Sequence, residues 1–70
     1  SLALIDSLEE LIYMYYNLYI KNSYSECYLK KLNYYISLAE NHKNYDSNIA
    51  SIINENLKKL KKENFKIVLP

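Results

Sequence analysis

Not one glycine occurs among these 70 residues. A chain without glycine has no residue that lets backbone close on a phosphate at no steric cost. Its helices must also end on some other residue, and asparagine is the next best at tolerating the left-handed conformation common there. Asparagine and tyrosine occur nine times each, whereas arginine, threonine, glutamine and tryptophan are absent. With one histidine and one cysteine, most catalytic constellations cannot be assembled from this stock.

Apolar residues fall at helical steps of three and four. Leu4, Ile5, Leu8, Leu11, Ile12, Tyr15, Leu18 and Tyr19 trace a first stripe. That helix begins at Leu2, or at Ser7, which has capping-box spacing to Glu10, and it stops near Asn22. Ser23 and Glu26 have the same spacing, which places Ser23 as the N-cap of a second helix striped by Tyr28, Leu29, Leu32, Tyr35, Ile36 and Ala39. It frays over 41–44. Asp46 or Ser47 caps a third helix carrying Ile49, Ile52, Ile53, Leu57 and Leu60, with Asn64 as its end. Asparagine thus stands near all three helix ends. The tail from Phe65 to Pro70 reads as an extended strap or a short last turn. The fold class is all-α: one small domain over 1–70 with three main helices, a fourth short helix being the variant. Its core is Leu8, Leu11, Ile12, Leu32, Ile36, Ile53, Leu57 and Leu60.

Hydrophobic residues make up 50% of the chain, too many for a disordered tail. Nine lysines against eight acids leave a net charge of +1, which is not the footprint of a nucleic-acid binder. Lys58, Lys59, Lys61 and Lys62 are interleaved with Glu55 and Glu63 and read as a solvated face. Direct, sequence-specific DNA binding is therefore not expected. No apolar run is long enough to span a membrane, and the acidic first twenty residues do not read as a signal peptide. Cys27 has no second cysteine to bond, so an internal disulfide is excluded, with a lean to a reducing compartment. The expected location is intracellular.

Cys27 and His42 are the only classical nucleophile or metal-ligand types, and they fall about 22 Å apart at opposite ends of the second helix. Glu9 and Glu10 diverge, as neighbours on a helix do. No catalytic, cofactor-binding or metal-binding residues are assigned, and no cofactor is expected. The anomalies are apolar. Tyr13 and Ile20 lie among Asp6, Glu9, Glu10 and Asn17, where the helical period calls for polar side chains, and Tyr16 borders them. Asn56 is the reverse, a polar residue inside the third stripe. It either pairs within the bundle or marks a stripe open to a partner. Tyr13, Tyr16, Ile20 and Asn56 are the candidate partner-binding residues, since exposed tyrosine gives large contact area at low entropic cost.

The run from Cys27 to Ala39, with Tyr28–Leu29, then Leu32, then an apolar and small-residue stretch, resembles the second-helix pattern of the ACDC domain of apicomplexan Apetala-type transcription factors. The leading Leu-rich helix from Leu4 to Leu18 and the amphipathic segment ending at Leu69–Pro70 extend that resemblance over nearly the whole chain. It implies an orthogonal helical bundle, a nuclear location, and a non-enzymatic accessory module excised from a longer regulator. The family bundle has four helices. The fourth would come from a break near Asp6–Ser7 or from the tail. The expected function is protein–protein interaction. The alternatives are nucleic-acid binding through the lysine face and a structural oligomerisation bundle.

Overall fold

The computed structural model describes residues 4–68, with side chains described through Asn64. Three helices follow one another: α1 Ile5–Lys21, α2 Glu26–Glu40 and α3 Ser47–Val68. No strand occurs among the described residues, and the all-α class stands as the periodicity requires. Within those residues there is no fourth helix. The chain runs unbroken through Asp6–Ser7, and 65–68 continue α3 rather than forming a strap. Residues 69–70 lie outside the described part.

The boundaries differ from the capping-box reading in two places. α1 starts at Ile5 behind an extended Leu4 that offers no side-chain cap, so Ser7 and Glu10 lie inside the helix. The Leu4 carbonyl accepts from the Ser7 and Leu8 amides instead. Ser23 does not cap α2. The N-cap is Ser25, and it makes no side-chain capping bond.

Ser23 serves the end of α1. It and Tyr24 adopt left-handed backbone, with φ of 57° and 59°. The Tyr24 amide donates 2.8 Å back to the Tyr19 carbonyl, and the two rings meet edge to face with centroids 5.3 Å apart. A six-to-one bond with a side-chain contact across it is the Schellman arrangement that glycine ordinarily serves. Asparagine does not supply the left-handed residue. Asn22 and Asn41 are C-caps with φ of −107° and −93°. Each folds its Nδ2 back onto the carbonyl four residues earlier, Leu18 at 2.7 Å and Ser37 at 2.8 Å. Asn64 makes the same 2.8 Å bond to Leu60, but inside α3, so it does not end that helix. Asp46 is the side-chain cap the sequence suggests: its Oδ1 accepts from the Ile49 amide at 2.8 Å, satisfying an orphan donor of the first turn.

α1 is the shared element. It packs against both α2 and α3, whereas no described Cα of α2 comes within 8 Å of one in α3. The buried core is Leu8 and Ile12 from α1, Leu32 and Ala39 from α2, and Ile53 from α3. Among the described residues Ile12 alone is fully enclosed, at 0% exposure. Ile36 and Leu57 pack against this cluster half-buried, as do Tyr13, Tyr16 and Tyr45. Leu11 and Leu60 of the expected core are only half-buried.

Two outcomes follow. Leu32→Ala should cost about 2–5 kcal/mol, a large share of what so small a core supplies, and a denaturant melt reads the loss directly. Ser23→Gly should raise stability by about 0.5–1 kcal/mol, because relief of the left-handed penalty exceeds the extra chain entropy. An unchanged melting temperature in the Gly variant would remove strain from the account of this turn.

Candidate interaction surface

α1 has two neighbours, and its side chains divide between them by helical phase. Tyr15 turns to α2 and stacks on Tyr35, with centroids 5.5 Å apart and planes 14° from parallel. Tyr34 abuts Tyr35 edge to face at 5.2 Å. Tyr13 and Asn17 turn the other way, to α3. The Asn56 amide donates 3.0 Å to the Tyr13 hydroxyl, which in turn donates to Glu9 at 3.3 Å. Four residues on, the Asn64 amide donates 3.1 Å to Asn17 Oδ1. Asn64 is the buried polar residue of the chain's described part, at 7% exposure, and no buried side-chain polar atom there lacks a partner.

These rungs account for the anomalies in the sequence. Tyr13 and Asn56, ninth and tenth residues of their helices by position, pair with each other inside the bundle, which is the first of the two readings Asn56 allows. Tyr16 packs against the core, and Ile20, one turn beyond it, is half-buried. The polar-looking side of α1 is the side that α3 covers. Burial pushes the Tyr13 phenol above the usual tyrosine value; the Asn56 amide works against that rise and the Glu9 carboxylate adds to it. Tyr16 is raised as well, by burial first and then by the neighbouring phenols of Tyr24 and Tyr19.

The opposite side of the α1–α2 pair is covered by nothing among the described residues. Leu11, Tyr15 and Leu18 of α1 lie there half-buried, beside Tyr35 of α2. Leu38 and Tyr34 on α2 are 40% and 58% exposed, and Met14 is exposed on the outer edge of α1. Lys31 is the charge within this strip by helical phase. The stacked pair Tyr15–Tyr35 forms its floor. Sequence reading missed this surface because Leu11, Tyr15, Leu18 and Tyr35 obey the stripe periodicity and so pass for core, while Met14, Tyr34 and Leu38 lie off the stripes.

On the α3 side, a cleft of about 170 Å³ opens between α2 and α3, floored by Ile12 and walled by Ile36, Ala39, Tyr45 and Leu57, with Glu40 and Asn54 also lining it. It is small for a ligand pocket. Cys27 is exposed on the outer face of α2, while His42 sits in the α2–α3 loop, where its Nδ1 accepts from the Asn44 amide at 3.1 Å. The two do not converge. No group of three His, Cys, Asp or Glu that could hold a metal occurs among the described residues, and no helix among them is long and apolar enough to cross a membrane. On the lysine face, Lys58 and Glu55 form an exposed ion pair at 3.9 Å.

No protein-family model, no curated protein and no solved structure matches this chain.

The Tyr13 rung carries a testable pH dependence. A phenol with a raised folded pKa contributes stability that is fully present below its unfolded value, near pH 10, and is lost as pH rises through the folded value. Melts should therefore weaken above about pH 10, and Tyr13→Phe should blunt that fall. At neutral pH the same variant should cost about 0.5–1.5 kcal/mol through the lost hydrogen bond. A Phe variant with the parent's stability at pH 7 would show that the rung does not hold α3.

Proposed function

We propose that this domain is a non-enzymatic protein–protein interaction module whose docking surface is the strip along α1 and α2 that faces away from α3. The observation that carries this reading is the strip itself. By helical phase Leu11 and Leu18 of α1 and Tyr34 and Leu38 of α2 fall on the same side as a stacked tyrosine pair, with two of them more than a third exposed. Aromatic and aliphatic side chains clustered without interleaved acids are what a docking centre requires, whereas single exposed apolar residues need no explanation. The separation of Cys27 from His42 speaks against nucleophilic chemistry, which needs nucleophile and base within hydrogen-bond reach.

The polar atoms of Tyr13 and Asn56 are engaged with each other, so of the four residues first singled out they are the poorer candidates for a partner. The finer reading, an accessory domain of a nuclear transcription regulator of the Apetala type, rests on the resemblance of the Cys27–Ala39 run to the ACDC domain. A DNA-binding domain of that type elsewhere in the same gene product would support it. Its absence from the complete gene product would remove it.

Leu38→Glu with Tyr34→Lys should leave the helical circular dichroism spectrum unchanged and the melt within about 1.5 kcal/mol of the parent, because both side chains are exposed and only the Tyr34–Tyr35 edge contact is lost. Capture of a protein partner by the tethered domain should fall at least tenfold. Undiminished capture would place the docking surface elsewhere. Duplex DNA should bind only weakly and without sequence preference, and a sequence-dependent complex at physiological salt would favour the lysine face instead.

A further inference from the structure

We infer that the strip on α1 and α2 seats a second copy of this chain, in an antiparallel arrangement with two-fold symmetry. The inference rests on the interaction reading above and names its partner. Three observations carry it.

The first is area. The chain exposes 5295 Å², against about 4600 Å² for a compact monomer of its 8.4 kDa mass. The surplus of about 700 Å² is a property of the whole surface and marks a chain more open than a compact monomer of its mass. The radius of gyration agrees, at 12.7 Å against about 11 Å for a compact chain of this length.

The second is charge. Glu10 and Lys21 stand three turns apart on the outer edge of α1, about 16 Å by helical rise, and both are exposed. Their midpoint falls between Tyr15 and Tyr16. A two-fold axis crossing α1 there lays Glu10 of each copy over Lys21 of the other. The same rotation brings Leu11 of one copy toward Leu18 of the second. A surface whose two ends have opposite sign about an apolar centre is complementary to itself, which is the requirement of an isologous interface. The third is net charge. At +1, two copies meet without long-range repulsion.

Sedimentation equilibrium of the 70-residue chain over a broad concentration range tests this. The expected result is a reversible monomer–dimer equilibrium that weakens at least tenfold in Leu38→Glu, with the helical spectrum unchanged. Glu10→Lys alone and Lys21→Glu alone should each weaken the dimer about three- to tenfold, since symmetry repeats each lost rim pair twice. An equimolar mixture of those two variants should recover association as a heterodimer. A parent that stays monomeric throughout, a dimer indifferent to Leu38→Glu, or a mixture no tighter than its separate components would overturn the proposal. If the parent is monomeric while Leu38→Glu with Tyr34→Lys still loses a captured protein, the second copy is excluded and the interaction reading stands.

Discussion

Everything in this fold leans on Ile12. Among the described residues it is the one side chain with no exposure at all, and it lies where residues of α2 and α3 approach α1 from two sides, flooring the cleft between them. Because α2 and α3 do not touch through their backbones, α1 is their common support. A helix that serves two neighbours needs an apolar arc wider than a single stripe. This is why six of its residues, from Ile5 and Leu8 through Ile12 to Tyr13, Tyr15 and Tyr16, enter the core or pack against it.

The two seams of α1 are held by different physics. Toward α2 the contact is aromatic and aliphatic, with Tyr15 stacked on Tyr35 and Leu32 buried beside it in the same cluster. Toward α3 it is half polar, with Tyr13 to Asn56 and Asn17 to Asn64 as paired rungs. Apolar packing is tolerant of sliding, whereas a paired amide or hydroxyl must meet its partner or forfeit a hydrogen bond in a partly dehydrated site. The rungs therefore set the register of α3 on α1 in the way that a single buried asparagine sets the register of a coiled coil.

The helices themselves were legible from the sequence because their apolar spacing and the Asp46 cap are local signals, and Asp46 does accept the Ile49 amide. What escaped was everything that depends on a second neighbour. Tyr13 and Asn17 sit on what looks like a polar face until α3 covers them, and no spacing within α1 announces partners that arrive 43 and 47 residues later. Ser23 misled for a different reason: serine before Glu26 has the pattern of an N-cap, but the same residue had first to close α1, and the absence of glycine left it the left-handed position. Asn64 likewise carries the residue type of a helix end while serving as a rung. The exposed strip was hidden in part by regularity, since Leu11 and Leu18 follow the α1 stripe and differ from core leucines only in having nothing opposite them among the described residues.

The arrangement of one support and two dependants also ranks the parts of the molecule by how readily they come apart. α1 and α2 are joined by a short turn and pair as close neighbours along the chain, so their association closes only a small loop of backbone. α3 contacts α1 across the whole of α2 and meets α2 through side chains of the shared core rather than by close backbone approach. Loss of the two rungs together with the Ile53 and Leu57 packing would let α3 swing away as a unit while the α1–α2 hairpin stayed paired, a partial opening below the free energy of global unfolding. Amide hydrogens should then record two tiers of protection, a slower one in the middle of α1 and α2 and a faster one along α3.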